Sequence, residues 1–268
     1  MHQFDLTDDQ PFDEPAYSSW DIAQHGPDPR PDWVITDLNA LDTELGVLKT
    51  GKEADVHLVS RAVPNGPECL LAAKRYRGAE NRLFHRDAGY QEGRRTRKSR
   101  DTRAMAKRTA YGRDLAAGQW AYAEFDALSR LWQAGAPVPY PVQVSGTELM
   151  LEFIGDADGA AAPRLAQRRP SPVELIDLFT QCTDAMRLLA RAGYAHGDLS
   201  AYNLLVHHGR LMVIDVPQIV DIFANPQGAS FLERDCTNIC TWFAARGLQT
   251  DEFEHLFGDL MAEAVARW

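Results

Sequence analysis

Apolar and polar positions alternate along three stretches near the front of the chain: VLKTG from Val47, ADVHLVS from Ala54 and CLLAAKRY from Cys69. That period of two predicts three strands, the first pair joined at a glycine and the second by the turn Pro64-Asn65-Gly66-Pro67. Upstream, Thr36 or Asp37 as a cap and Gly46 as a stop predict a short helix over about Thr36 to Glu44. Downstream the period lengthens. Ala121, Phe125, Leu128, Leu131 and Trp132 share one helical face, predicting a helix from Leu115 to Ala134 that ends at Gly135. Prolines 137, 139 and 141 then force an extended path into two short strands, PVQVSG and ELMLEFIG. Leu165 to Pro172 reads as a linker, and Val173 to Ala192 as a strongly apolar helix stopped at Gly193. The run YAHGDLSAYNLLVHHGRLMVIDV reads as loop, strand, tight turn at His208-Gly209, and strand, with helix from about Ala229 onward. No internal repeat is visible. A β-rich front and an α-rich back, joined at Glu152–Gly155, predict an α+β chain of two lobes with a cleft between them. The first lobe spans 33–151 and the helical lobe 152–268, after an acidic stretch (1–32) that reads as a poorly ordered leader or a strap lying on the domain.

Composition narrows the classes. No apolar run approaches the roughly 18–20 residues that span a bilayer. The acidic N-terminus lacks the basic and apolar regions of a secretory signal, so the expectation is a cytoplasmic protein without a membrane partner. Cys69, Cys182, Cys236 and Cys240 are too few for a disulfide framework in 268 residues. Cys236 and Cys240, four apart, read as small core residues rather than metal ligands. The formal net charge of -10 hides a segregation: Arg94 to Arg113 holds nine Lys or Arg against one acid, Asp101. Within the charged stretch 78–113, this reads either as a solvated, flexible insertion or as a loop that contacts the phosphates of RNA or a substrate.

The strongest chemical signal is His196-Gly197-Asp198 with Asn203 five residues after the Asp, then a strand pair leading to Asp215. Phosphoryl transfer needs a carboxylate near the acceptor and oxygen ligands for Mg²⁺, and this order supplies three such groups. Each alone would more often be a turn or cap residue. Lys74 shares a strand face with Ala72 and Tyr76, and a buried ammonium needs an anionic partner. Glu124, near the edge of the apolar helix face, is the natural candidate, with Asp126 and Glu148 as rivals. Gly46 to Lys52 satisfies G-x-x-x-x-G-K, but Glu53 stands where a P-loop requires Ser or Thr, and a strand follows instead of a helix. A P-loop is disfavoured. Main-chain groups at Thr50 and Gly51, with Lys52, remain suited to covering nucleotide phosphates, against the plain alternative of a hairpin turn.

TGKEADV, LLAAKRY, EFDALSRLWQAGAPVPYPV, LMLEFIG, HGDLSAYNLLV, VIDVPQIVD and FLERDCTNI occur in the order found in RIO kinases, over roughly Leu38 to Phe243. The chain resembles that family of atypical serine/threonine protein kinases, in the branch of the archaeal and eukaryotic ribosome-maturation kinases. The resemblance implies a protein-kinase-like fold with a truncated helical lobe, using ATP and Mg²⁺, or Mn²⁺ in its place. It implies that Lys74 contacts the α/β-phosphates, that Thr50, Gly51, Lys52 and Glu53 lie over the nucleotide, and that the backbone from Glu152 to Ile154 meets adenine. It further implies that Asp198 is the catalytic acid of the loop, that Asn203 and Asp215 hold the metal, and that Asp215 can accept phosphate. The acceptor would be an unknown protein, the chain itself included. Departures are visible: Lys49 replaces the family's usual Ser, residue 197 is Gly where ordinary kinases have Arg, and no A-P-E motif follows Asp215. Activation-loop regulation is therefore not expected. Two other readings stand beside this one. Small-molecule kinases of the aminoglycoside-phosphotransferase type also use His-Gly-Asp-x4-Asn; the other is an ATP-switched scaffold on RNA or the ribosome, against which the joint retention of Lys74, Asp198, Asn203 and Asp215 argues.

Overall fold

The computed structural model describes residues 15–77, 110–216 and 219–266, with backbone alone for 110–115. In chain order these form β1 (Ala16–Tyr17), β2 (Gln24–His25), β3 (Leu41–Thr50), β4 (Ala54–Ala62), β5 (Glu68–Tyr76), α1 (Ala110–Gln133), β6 (Pro141–Ser145) and β7 (Glu148–Glu152). The second part holds α2 (Pro172–Arg191), β8 (Tyr194–Ala195), β9 (Leu204–His207), β10 (Arg210–Val213), β11 (Val220–Asp221), α3 (Gly228–Ala244) and α4 (Glu252–Val265). The first lobe is one antiparallel sheet in the order β1-β3-β4-β5-β7-β6-β2. Its two edge strands, β1 and β2, belong to the same short strap. Six strand spacings of about 4.8 Å would separate them by about 29 Å in a flat sheet, beyond the roughly 25 Å reach of the seven residues from Tyr17 to Gln24. The sheet must therefore curl. The strap crosses its outer face, where Trp20 is buried with Val34, Val59, Leu71, Ala73, Tyr140, Val142 and Met150.

The helix expected over Thr36 to Glu44 is absent. Asp37 instead closes a turn, its Oδ1 accepting from the Asn39 backbone at 2.8 Å, and β3 begins at Leu41. What overrides the local capping signal is pairing across the sheet. Asp42 lies opposite Arg61 of β4 and accepts from its Nε and Nη2 at 2.7 and 2.8 Å. Arg61 is fully buried, and its Nη1 donates to Gln143 at 2.8 Å. Asp42→Ala would leave that guanidinium without its counter-charge, so a loss of about 3–5 kcal/mol is expected in urea unfolding.

The remaining boundaries follow the periodicities closely. α1 starts before Leu115 and takes in the last residues, 110–113, of the expected basic insertion (78–113), whose remainder lies outside the described residues. The linker contains a single 3-10 turn, Leu165–Gln167, and the terminal helical stretch divides into α3 and α4. α2 is capped by the Ser171 hydroxyl, which accepts from the Glu174 backbone, with Pro172 in its first turn. Phe179 of α2 meets Phe243 of α3 and Phe253 of α4 edge-on, at centroid distances of 5.2 and 5.3 Å. The inner face of the sheet, α1 and the helices share one continuous core, which joins Tyr76, Phe125 and Leu149 to Leu178, Leu204 and Phe243. The two lobes are thus joined through one core. Among the described residues no helix is long and apolar enough to cross a membrane.

Candidate active site

Three ionised groups from distant parts of the chain converge where the sheet meets the helical lobe. Alternation along β5 turns Lys74 inward, and its Nζ donates to Glu124 of α1 at 2.8 Å and to Asp215, after β10, at 2.9 Å. Glu124 is buried and also accepts from the Tyr76 hydroxyl, a partner on the same strand face that sequence reasoning left without a role. The rival Glu148 is occupied elsewhere, accepting from Arg75 at 2.7 Å. Burial alone would discharge Lys74, but the carboxylates of Glu124 and Asp215 outweigh it and hold its pKa above the ordinary value. Burial pushes the Tyr76 hydroxyl well up, reinforced by Glu124. Burial would also raise Asp215. The Lys74 ammonium, helped by Lys49 and His196, overcomes this and brings it down to about 2, so the group is a carboxylate at neutral pH. Asp215 also adopts a left-handed backbone (φ 65°), uncommon for a residue with a side chain.

The loop between β8 and β9 is tied to this point through main-chain bonds. Asn203 Nδ2 donates to the Asp198 carbonyl at 3.0 Å, and the Ile214 backbone donates to the Asn203 carbonyl at 3.0 Å. His196 Nε2 bonds the Ile214 carbonyl at 3.1 Å. Asp198, Asn203 and Asp215 are therefore held by one network, with the Asp198 side chain exposed and Asn203 buried.

The sequence reading assigned no role to the residues that fix this loop. Asp235 of α3 is buried, and its two oxygens accept from the Gly197 and Leu199 backbone N–H groups, each at 2.8 Å. Arg234 donates to the Gly197 carbonyl, and Asn238 Nδ2 to the Leu199 carbonyl at 3.0 Å. Burial raises the Asp235 pKa, opposed by His196, the two N–H bonds and Arg234. The readable signal was an Asp on the face of a helix whose other buried members, Leu232, Cys236, Ile239 and Phe243, are apolar.

The glycine-containing turn lies between β3 and β4. The Gly51 N–H donates to the Ala54 carbonyl at 3.1 Å, while Thr50, Lys52 and Glu53 are exposed. Lys49, at the end of β3, brings its Nζ within 3.6 Å of Asp215, so the turn sits over the same point as Lys74. At the lobe junction the Glu152 carboxyl accepts from the Tyr140 N–H at 3.0 Å, and its backbone N–H donates to the Tyr140 carbonyl at 2.9 Å. Burial raises its pKa against that hydrogen bond. The Ile154 carbonyl accepts from the Ala162 N–H at 2.9 Å. The side chain of Glu152 is thus committed to the fold, as are its backbone N–H and the Ile154 carbonyl.

The sequence model of the RIO domain matches residues 73–256, a span that contains Lys74, Glu124, Asp198, Asn203, Asp215 and Asp235. The chain belongs to the RIO family. The RIO-type serine/threonine-protein kinase Rio1 of Haloferax volcanii is 33% identical over 223 residues, covering 82% of this chain and 70% of the relative. Serine/threonine-protein kinase rio1 of Dictyostelium discoideum is 33% identical over 216 residues, and RIO1 of Homo sapiens 30% over 234. The chain spans only 35% and 36% of the length of those two eukaryotic relatives. Membership places this RIO chain among enzymes of the serine/threonine-kinase class, with the curled antiparallel sheet and helical lobe of a kinase-like α+β fold.

Proposed function

We propose that this RIO chain transfers the γ-phosphoryl group of ATP to a serine or threonine hydroxyl and, through Asp215, hydrolyses ATP. The observation that carries this reading is the junction of Lys74 with both Glu124 and Asp215. An ammonium fixed by two carboxylates where the sheet meets the helical lobe is poised to hold nucleotide phosphates. Lys74 binds the α/β-phosphates, Thr50 to Glu53 lie over them, and main chain from Glu152 to Ile154 meets the base. The donor set suits a hard divalent cation. Asp215 contributes an ionised carboxylate, and Asn203, whose Nδ2 is used by the Asp198 carbonyl, has its amide oxygen left to offer. Asn203 and Asp215 would hold Mg²⁺, or Mn²⁺, which neutralises charge on the phosphates.

In transfer, the acceptor hydroxyl oxygen attacks the γ-phosphorus and its proton passes to Asp198. The bond from the γ-phosphorus to the β–γ bridging oxygen breaks, and ADP leaves with the electron pair. In hydrolysis, an Asp215 oxygen makes the same attack, and water then cleaves the acyl phosphate. Asp215 is ionised and partly exposed, as this second output requires. The names of the relatives favour a protein hydroxyl over a small-molecule acceptor. The cations from Arg94 to Arg113 supply an RNA or ribosome contact, and their deletion should abolish a salt-sensitive RNA mobility shift.

Incubation with Mg²⁺ and γ-labelled ATP tests the proposal. Label in protein or free phosphate, lost in Asp198→Ala and Asp215→Asn, is the expected result. Hydroxylamine-sensitive label marks the acyl phosphate and acid-stable label a Ser or Thr ester. ATP binding without either product overturns the reading. Lys49 adds a second ammonium to Asp215. Both side chains are partly exposed, so the contact is worth only about 0.2–1 kcal/mol. Lys49→Ser is therefore expected to raise KM for ATP by about two- to fivefold with kcat little changed, read from steady-state kinetics.

A further inference from the structure

The β9–β10 hairpin carries Asn203 and Asp215 at its open end. At its closed end, about 10–13 Å along the strands, it carries a different set of ligating groups. Asp156 Oδ1 lies 3.1 Å from His207 Nε2 and 3.6 Å from His208 Nε2, and the three ligand atoms all fall within 4.8 Å of one another. A tetrahedral ion with bonds of about 2.0–2.2 Å holds its donors about 3.3–3.5 Å apart. The observed separations bracket that value.

The backbone arranges this convergence. Neighbouring residues of a strand face opposite ways, yet the two imidazoles lie side by side with ring centroids 4.0 Å apart. His208 sits in the left-handed region (φ 48°) as the first residue of a two-residue hairpin turn with Gly209 (φ 76°), and that turn sets its ring beside that of His207.

The surrounding segments are already lashed together. Asp156 stands in a tight turn, donating to the Ala160 carbonyl at 2.9 Å and accepting from the Gly159 N–H at 3.0 Å. The Val206 N–H donates to the Pro163 carbonyl at 3.0 Å, and an isolated bridge joins Arg164 to Leu205. From α2, Gln181 grips the hairpin turn, donating to the Gly209 carbonyl and accepting from the Leu211 N–H, each at 2.8 Å. An ion can therefore enter without rearranging main chain. His208 is 78% and Asp156 56% exposed, which leaves an open approach and room for water as a further ligand.

We infer that Asp156, His207 and His208 bind a divalent transition-metal cation of borderline hardness, Zn²⁺ or Ni²⁺, at a site separate from that of phosphoryl transfer. Two imidazoles with one carboxylate select such ions over Mg²⁺, which prefers oxygen. The bound ion would cross-link the loop following the lobe junction to the hairpin whose other end carries Asn203 and Asp215. This site stands independently of the phosphotransfer reading.

Calorimetric titration of the full chain with ZnCl₂, in saturating Mg²⁺, tests it. One binding event per chain is expected. It should weaken by about tenfold or more in His208→Ala and in Asp156→Asn, and persist in Asp215→Asn. His208 is exposed, so its substitution leaves the fold intact. With Co²⁺ in place of Zn²⁺, visible d–d absorption without a thiolate charge-transfer band is expected, as the site contains no cysteine. An absence of saturable binding, binding unchanged in His208→Ala, loss in Asp215→Asn alone, or a thiolate band would each overturn the inference.

Discussion

Asp215→Asn should lower phosphate release and protein labelling by at least about 10²–10³-fold, the cost of removing one pre-organised charge at a site of charge development. It should also remove hydroxylamine-sensitive label completely, because an amide cannot form the acyl phosphate. The fold should survive. Lys74 keeps Glu124, which is the more deeply buried of its two partners, and the Asn oxygen can still accept a hydrogen bond. A melting temperature within a few degrees of wild type, alongside the lost activity, separates this from unfolding. Wild type and variant should differ in acid as well. The Asp215 pKa is about 2 in the folded chain against about 3.9 unfolded, a depressed value. Its contribution to stability is therefore present above about pH 3.9 and is lost as pH falls toward 2. Stability–pH curves of the two proteins should converge over that window. Labelling retained in Asp215→Asn would place the reacting carboxylate elsewhere.

Asp235→Ala should damage stability and catalysis together. The substitution strands the buried N–H groups of Gly197 and Leu199, each at a cost of about 1–3 kcal/mol, while relieving the burial of a carboxylate whose pKa is already raised. A net loss of about 2–4 kcal/mol in urea unfolding is expected. Activity should fall even well below the melting transition, since the loop between His196 and Asn203 loses the anchor that presents Asp198. Asp235→Asn keeps one acceptor and should recover part of both losses. If activity follows the folded fraction alone, Asp235 is a core residue without a positioning role.

The elements legible from the sequence are those whose period is long or whose punctuation is strong. α2 lies between Ser171-Pro172 and Gly193, and β4 and β5 alternate around a Pro-Asn-Gly-Pro turn. The stretch from Thr36 to Glu44 misled because its capping signals are real but serve a turn at Asp37. The strand register of Asp42 against Arg61, nineteen positions away, decides the rest. Asp235 was overlooked for a related reason: its partners are backbone N–H groups, which have no letter in a sequence. His208 was read only as part of a tight turn with Gly209, because Asp156, which completes the cluster, is fifty-one residues from His207.

By itself the sequence determined the two-lobed α+β order, the family, and the ordered set Lys74, Asp198, Asn203 and Asp215. Each rests on local period or on residue types at short spacing, which a linear string preserves. The tertiary structure decided which carboxylate meets Lys74, that Lys49 also reaches Asp215, and that Tyr76 and Asp235 hold the site in place. These depend on the curl of the sheet and on how α1 and α3 pack beneath the cleft. Burial converts a strand lysine and a helix glutamate into obligate partners only after the chain has brought them together.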